Sequence, residues 1–304
     1  MYASMKEILD AVASGALTPE QADREIEALH ARAQAAGGSG ASGGARAAGA
    51  HRSISGLYGG DIGSDVHGSV RGIVGGSIAD GVQVAGDVSG VLGGSIGKSG
   101  GKTHISGGVH GIVGGGIAEG AQVDGDVTGI IGGPIGRNVR ILGNVRGPVG
   151  GSIRQGAHIG GSISGPIGGS IERDVEIEGD IVGPVGGRME GHVRGHVRGP
   201  IGDDLTGEVN GDVSAPIGGD LSGRVGGNVG TTLTKNRKIV RGNLTGTVGG
   251  SVFGKVVGDV SGRVEGDVSV ICGNILPGAY IGGRVGTLYG KNEGTVVGGV
   301  QNQR

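Results

Sequence analysis

The sequence predicts a mainly β protein: a single-stranded β-solenoid (β-helix) with coils of 16–18 residues, preceded by a small α-helical hairpin. Two observations predict the solenoid. Aliphatic residues recur in four columns at a nearly constant interval, and 78 of the 304 residues are glycine. A repeat this short cannot bury its own core, so successive coils must stack on one another. Helix-capping patterns near the start of the chain predict the hairpin.

The hairpin is expected over residues 1–35. Ser4 with Glu7 forms a capping-box pattern, Gly15 suits the end of a first helix, and Thr18 with Pro19 suits the start of a second. Two helices this short are marginal alone in water, so their apolar faces are expected to pack on each other and on a partner or second copy. The candidate assembly contacts on these faces are Ile8, Leu9, Ile26 and Leu29.

The hairpin sequence MKEILDAVASGALTPEQADREIEAL resembles the short helical hairpin called the SHOCT or SHOCT-like domain. That resemblance implies a role in oligomerisation, or in binding another protein. Residues 36–52, rich in Gly, Ala and Ser, are expected to be a flexible linker. The hairpin is therefore expected to be tethered to the solenoid.

The solenoid is expected over residues 53–304, where each column holds one aliphatic residue per coil. The four columns begin Ile78, Ile96, Ile117; Val84, Ile105, Val123; Val88, Val109, Val127; and Leu92, Val113, Ile131. In the tight coils the aliphatics recur every four residues, which strand alternation explains if every other inward residue is glycine. His192, Arg194, His196 and Arg198 then point outward. Each large inward residue is expected to face a glycine of the opposing sheet, in a flat interdigitated core.

Differences in coil length predict where the chain turns. The 16- and 18-residue coils differ by two residues between the first and second columns, so one turn is expected there. Gly-Gly pairs mark another turn, because glycine tolerates positive φ. The register is interrupted at 98–102, 230–241 and 277–294, where loops or bends are expected.

Composition excludes several classes of protein. Collagen requires glycine at every third position and abundant proline, but there are only 8 prolines and no such frame. Aliphatics in register and a net charge of −2 argue against disorder and against binding to nucleic acid. One cysteine, Cys272, is expected to be buried among aliphatics, and it cannot form an internal disulfide, which fits a reducing compartment.

An outward apolar stripe precedes the fourth column by one residue. It begins with Ile73, Val91, Ile112 and Ile130 and continues as Pro148, Pro166, Pro184, Pro200 and Pro216. Proline cannot donate a ladder hydrogen bond, so this stripe must lie at a corner or outside the regular ladder. Either it is a rigid corner, or it is a lateral contact for another rod or a membrane. No other feature supports membrane association.

No catalytic, cofactor or metal site is expected. The column Asp126, Asn144, Ser162, Asp180, His196, Asp212, Asn228 lacks the spacing of calcium-binding nonapeptide repeats, and a turn-capping role is favoured. His192 and His196 lie four residues apart, which on an extended strand is ~13 Å, too far to share one ion. The protein is therefore not expected to be an enzyme.

The short Gly- and Val/Ile-rich coils, few aromatics and polar termini resemble the bactofilins, bacterial cytoskeletal proteins. That resemblance implies a cytoplasmic, bacterial protein that forms filaments end to end without nucleotide. The tripeptides Leu57-Tyr58-Gly59 and Leu288-Tyr289-Gly290 stand at both solenoid ends, where Tyr58, Leu288 and Tyr289 are candidate caps or junction contacts. The function expected is a self-assembling structural scaffold or filament. The alternative is a monomeric capped rod that displays its hairpin, or the basic loop near Arg237, to a protein partner.

Overall fold

A computed structural model describes residues 53–234 and 237–304, which form a single-stranded β-solenoid of about 14 turns. The helical hairpin predicted for residues 1–35 and the linker predicted for residues 36–52 lie outside the described residues. Within the described ranges the helical structure is one 3₁₀ turn, Thr232–Thr234. The prediction of a mainly β solenoid is confirmed for this part of the chain.

The strands are short and all pair in parallel. In chain order they are β1 Ile54–Tyr58, β2 Val70–Val74, β3 Gln83–Val84, β4 Val88–Leu92, β5 His104–Ile105, β6 Val109–Val113, β7 Gln122–Val123, β8 Val127–Ile131, β9 Arg140–Ile141, β10 His158–Ile159, β11 Glu176–Ile177, β12 His192–Val193, β13 Glu208–Val209, β14 Arg224–Val225, β15 Val229–Gly230, β16 Lys238–Val240, β17 Thr247–Val248, β18 Val252–Val256, β19 Arg263–Val264, β20 Val268–Ile271, β21 Tyr280–Ile281, β22 Val285–Leu288, β23 Thr295–Val296 and β24 Val300–Gln303.

Three sheets run along the solenoid. Two-residue strands through the second column form a 13-stranded sheet from β3 to β23. Longer strands, which span the third and fourth columns, form a five-stranded sheet near the start (β1, β2, β4, β6, β8) and most of a six-stranded sheet near the end (β18, β20, β22, β24). In the six-stranded sheet the short strands β15, at the third column, and β16, at the fourth, both pair with β18. Between these two sheets the third and fourth columns continue as isolated parallel bridges, such as Val185 with Ile201.

The four predicted columns form the core. Each column residue pairs with its counterpart one coil away, as in Ile153 with Ile171 and Ile159 with Ile177, and all four of these side chains are at most 1% exposed. The buried residues join into one continuous hydrophobic cluster along the solenoid. The aliphatic side chains of each coil are buried by contact with the coils above and below. This hydrophobic burial is the main contribution to the stability of the solenoid, because a single coil is too small to bury its own side chains.

The longer coils turn outward between the first and second columns, as predicted. In each of them one residue near the tip adopts a left-handed conformation, with φ of 53° at Asn138 and 58° at Asp174, and glycine at most other tips. Only glycine, or asparagine and aspartate, adopts this conformation at low cost. The turn also buries a small aliphatic side chain, for example Ala157 or Val175. The two additional residues therefore form a defined turn that packs on the core.

Two ladders of polar side chains join successive coils. In the first, the residue before each third-column position accepts a hydrogen bond from the backbone N–H of its counterpart in the next coil. Asp212 Oδ1, for example, accepts from the N–H of Asn228 at 2.7 Å. The second ladder does the same before the first column, as in Asp204 Oδ1 with the N–H of Asp220 at 2.8 Å. The acidic and amide column therefore caps the backbone of the neighbouring coil, which differs from the predicted turn-capping role.

The glycines have a different role from the one predicted. A Cβ on Gly195 would lie 2.4 Å from Asp180 Oδ1 and 2.6 Å from the carbonyl oxygen of Gly179, both in the preceding coil. The same crowding against the preceding coil, and not against an opposing sheet, occurs at Gly179 and Gly227. The expectation of large residues facing glycines across a flat core is therefore wrong. Glycine is required because adjacent coils approach closely along the solenoid axis.

Two further expectations are corrected. The segment 277–294 continues the solenoid, because Ile281, Val285 and Leu288 occupy the second, third and fourth columns. Cys272 is exposed, since it directly follows the fourth-column residue Ile271 and points outward. The loop at 98–102 and the insertion at 230–241 do interrupt the regular coils, and within the insertion Leu233 is 92% exposed.

Candidate functional site

An apolar ridge runs along the outside of the five-stranded sheet. Its residues are register partners on successive strands, and their exposures lie between 38% and 57%. The members are Leu57, Ile73, Val91, Ile112 and Ile130. They point outward because each is followed by an inward fourth-column residue, such as the buried Val74 after Ile73 or the partly buried Tyr58 after Leu57, and strand alternation places neighbours on opposite faces. The predicted outward position of the stripe is confirmed.

Prolines continue the ridge over the next five coils. Pro148, Pro166, Pro184 and Pro200 are exposed, and Pro216 is half-buried. Each proline carbonyl accepts a hydrogen bond from the N–H of a fourth-column residue in the preceding coil, as in Val185 to Pro200 at 2.9 Å. The ladder at this position uses only the carbonyl, so the missing N–H costs nothing. Five aliphatic and five proline rungs therefore make a continuous apolar line, ~43 Å long at ~4.8 Å per coil.

Glycine lanes border the ridge on both sides. The residue before each ridge position is glycine at nine of the ten rungs, with Ala215 at the last, and the residue two positions after it is glycine at all ten. Examples are Gly72 and Gly75 on either side of Ile73 and Val74. Because glycine has no side chain, the apolar residues stand above the surface next to them. Along the aliphatic rungs the result is a ridge between two shallow grooves. Along the proline rungs the preceding residues, such as Gly147, Gly165 and Gly183, are buried, and only the glycines that follow the ridge lie at the surface.

The two Leu-Tyr-Gly tripeptides are not equivalent. At the start, Leu57 points outward and Tyr58 takes the fourth column, partly buried against the core. Near the end, Leu288 takes the fourth column and is fully buried, so Tyr289 points outward and is 49% exposed. The tripeptide is shifted by one residue relative to the columns, which exchanges the inward and outward side chains. Of the second pair, only Tyr289 offers surface for a contact.

The last coil places amides in two core columns. Asn292 pairs with Ile275 in the first column, and Gln303 pairs with Leu288 in the fourth. The strands β23 and β24 stand at the ends of their sheets. Polar residues at these positions resemble the polar outer face of a capping repeat.

A polar face covers the 13-stranded sheet. The side chains predicted to point outward here do so, and several form ion pairs with carboxylates of neighbouring coils. Arg194 Nη1 lies 2.8 Å from Glu178 Oε2, and Arg198 Nη2 lies 2.9 Å from Asp180 Oδ2. On the same face His158, Glu176 and Glu178 bring one ligand atom each within 4.8 Å of one another. The sequence pattern does not reveal this group, because His158 lies a whole coil away from the two glutamates along the chain.

Comparison with protein-family models, with curated proteins and with solved structures found no match for the chain. Over the described residues, no helix has both the length and the apolar character needed to cross a membrane.

Proposed function

We propose that the protein is a non-enzymatic structural rod that self-assembles, and that the apolar ridge is its lateral contact. The observation that carries this proposal is the ten-rung apolar ridge, from Leu57 to Pro216, with a glycine lane at the surface beside it at every rung. A cytoplasmic scaffold in a bacterium is the setting that the resemblance to bactofilins supports.

The shape of this surface favours a second copy of the same chain as the partner. The ridge of one solenoid fits the glycine lane of another, because a lane without side chains lets two backbones approach closely. Both features repeat at the same interval of one coil, so every rung makes the same contact. An isologous pair formed in this way buries the ridges of both copies, and the buried aliphatic surface supplies the driving force.

Charge substitutions on the ridge test the proposal. In the variant Ile73→Lys/Ile112→Lys, two lysines would have to be desolvated in the contact, and we expect assembly to be lost while the solenoid stays folded. The control is Leu142→Lys/Val297→Lys, which changes two exposed aliphatics, 43% and 65% exposed, that follow the second column and lie away from the ridge. Light scattering after size-exclusion chromatography and negative-stain microscopy measure the assembly, and circular dichroism checks the fold.

The outcomes separate the hypotheses. Assembly of the control but not of the ridge variant supports lateral pairing through the ridge. Equal assembly of both variants shows that the ridge is only a rigid corner, and the hairpin or the solenoid ends then become the better candidates. Single rods for the unchanged protein contradict self-assembly.

A second candidate function rests on the last coil. Amides at Asn292 and Gln303 hydrate the end of the core and disfavour end-to-end stacking through aliphatic columns. They therefore favour a capped rod that displays its predicted hairpin, or the insertion at 230–241, to a protein partner. Single rods in the experiment above, with no dependence on the ridge, are the result that supports this function.

A further inference from the structure

We propose that His158, Glu176 and Glu178 form a binding site for a divalent transition metal of the zinc class on the polar face of the solenoid. His158 and Glu176 are register partners on the adjacent strands β10 and β11. Glu178 follows the buried Ile177, so both glutamates project from the same face. One ligand atom from each of the three side chains lies within 4.8 Å of the other two.

The donor set suits Zn²⁺. Zn²⁺ accepts imidazole nitrogen and carboxylate oxygen as ligands at about 2.0–2.2 Å, and a site with three protein ligands keeps a water molecule in the fourth position. In the structure His158 Nε2 lies 3.4 Å from Glu178 Oε1, close to the separation of two ligands on one tetrahedral ion. The ligand atom of Glu176 lies within 4.8 Å of the other two, so binding requires this carboxylate to close on them. Hard cations such as Mg²⁺ prefer sites made only of oxygen.

In the described part of the chain, the group carries one carboxylate without a balancing partner, while Arg194 pairs with Glu178 and Arg140 is the register partner of His158 on its other side. Arg194 binds Glu178 through Oε2, at 2.8 Å, and so leaves Oε1 directed toward the imidazole. Within the described residues Glu176 makes no ion pair, so its negative charge faces that of Glu178 without a balancing partner. The buried Nδ1 of His158 has no hydrogen-bond partner, and the ring is held on its polar side only by Glu178. A metal ion would replace this single contact and neutralise both carboxylates.

The same face contains a natural comparison at His104. Its Nε2 lies 2.8 Å from Asp124 Oδ2, the same diagonal relation as His158 to Glu178. Its register partner, however, is Gln122, which donates a hydrogen bond to Asp124 at 2.6 Å. Its Nδ1 also has a partner, Gln83 Oε1 at 3.2 Å. The His104 group is therefore a closed hydrogen-bond network with one carboxylate, and we expect it not to bind the metal.

Zinc titration of the full-length, tag-free chain by isothermal calorimetry tests the proposal. Glu176→Gln converts the His158 group into a copy of the His104 group. We expect this substitution to remove one bound Zn²⁺ per chain, or to weaken its binding by more than the roughly 10–100-fold that loss of an outer-shell partner costs. The control Glu208→Gln, at the His192–Glu208 pair on the same face, should leave zinc binding unchanged.

A gain-of-function variant completes the test. Gln122→Glu supplies the missing carboxylate beside His104 and Asp124, and we expect it to add one bound Zn²⁺ per chain. Circular dichroism confirms that each variant is folded; all three changes are isosteric and on the surface. Equal zinc stoichiometry and affinity in the unchanged chain and in Glu176→Gln would overturn the proposal, as would the absence of zinc binding to the unchanged chain.

Discussion

The polar ladders make a quantitative prediction about the glycine that precedes each rung. Gly227 precedes Asn228, whose backbone N–H donates to Asp212 Oδ1 at 2.7 Å. A Cβ on Gly227 would lie 2.2 Å from that same oxygen and 3.0 Å from the backbone of Gly211. The first distance is impossible for two non-bonded atoms. In the variant Gly227→Ala the carboxylate must therefore move away, and the N–H of Asn228 loses its partner.

The magnitude follows from three terms. Leaving a partly buried donor without its acceptor costs about 1–3 kcal/mol. The tight contact with the coil below adds strain at the low end of the ~1–3 kcal/mol typical of overpacking. Replacing glycine by alanine also restricts the unfolded chain, which offsets about 0.4–1 kcal/mol. We expect a net destabilisation of about 2 kcal/mol, measured as a lower free energy of unfolding in urea.

Gly63→Ala is the matched control. A Cβ at Gly63 meets no atom within 4 Å, and its φ lies outside the left-handed region. The remaining effect of the alanine is to restrict the conformational freedom of the unfolded chain. We therefore expect the free energy of unfolding to stay the same or rise by up to about 1 kcal/mol. If Gly227→Ala proves as stable as Gly63→Ala, the crowding between coils does not determine where glycine is required.

A double-mutant cycle tests whether the collision with Asp212 causes the destabilisation expected for Gly227→Ala. Asp212→Ala alone loses the same hydrogen bond, and it also removes the atom with which a Cβ on Gly227 collides. The two changes together should therefore cost about 1–2 kcal/mol less than the sum of the single changes. Hydrogen exchange at the amide of Asn228 gives a local readout, with faster exchange in both single variants. Additive effects would show that the alanine acts through the backbone of Gly211 and not through the ladder.

Two further predictions concern pH and the core. The backbone N–H of Lys98, with further hydrogen bonds from Ser99, lowers the pKa of Asp80 to about 2. Because this value lies below that of an unfolded aspartate, about 3.9, the ionised group stabilises the fold above pH ~4 and loses this effect as the pH falls toward 2. Asp80→Asn should thus lower the urea midpoint at pH 6, and the difference should vanish near pH 2; a constant difference would contradict the assignment. Ile159→Asp puts an unpaired carboxylate into the core and should cost several kcal/mol, whereas the exposed Arg173→Ser should change stability by less than ~0.5 kcal/mol. Equal thermal midpoints would refute the inward and outward assignments.

The columns could be predicted from the sequence because inward aliphatics repeat without exception over many coils. Ile153, Ile159 and Ile163 are all buried as expected, and the extra two residues of the longer coils form the turn that their position indicated. The orientation of the ridge also followed, because proline at Pro184 and its equivalents excludes an inward ladder position. These features follow from the repeat along the chain alone, and they can be predicted without knowing how adjacent coils are offset along the solenoid axis.

The features that depend on the axial offset could not be predicted. The sequence shows that Gly195 is a recurring glycine, but not whether the atoms that exclude a side chain there lie across the core or in the adjacent coil. The second Leu-Tyr-Gly tripeptide was misread because a shift of one residue against the columns exchanges inward and outward. His158 and Glu176 meet only through the pairing of strands 18 residues apart, and that register depends on how the coils are offset, whereas neighbours within one coil, such as His192 and His196, are visible in the sequence itself.

Stability and function use different positions of each coil, and this separation supports both proposals. The inward columns hold the core, and the ladder residues with their glycines hold adjacent coils together. Asp212, Gly227 and Asn228 show how closely these axial positions depend on one another. At the ridge, by contrast, the side chain takes no part in the ladder, and Pro148 contributes only its carbonyl oxygen, so residues as different as Ile130 and Pro148 occupy the same site on successive coils. An outward column can therefore acquire an apolar ridge on one face and a ligand group on another, and either can be altered without unfolding the rod. The ridge and zinc variants rely on this independence, and a ridge variant that unfolds would show that the apolar line belongs to the core.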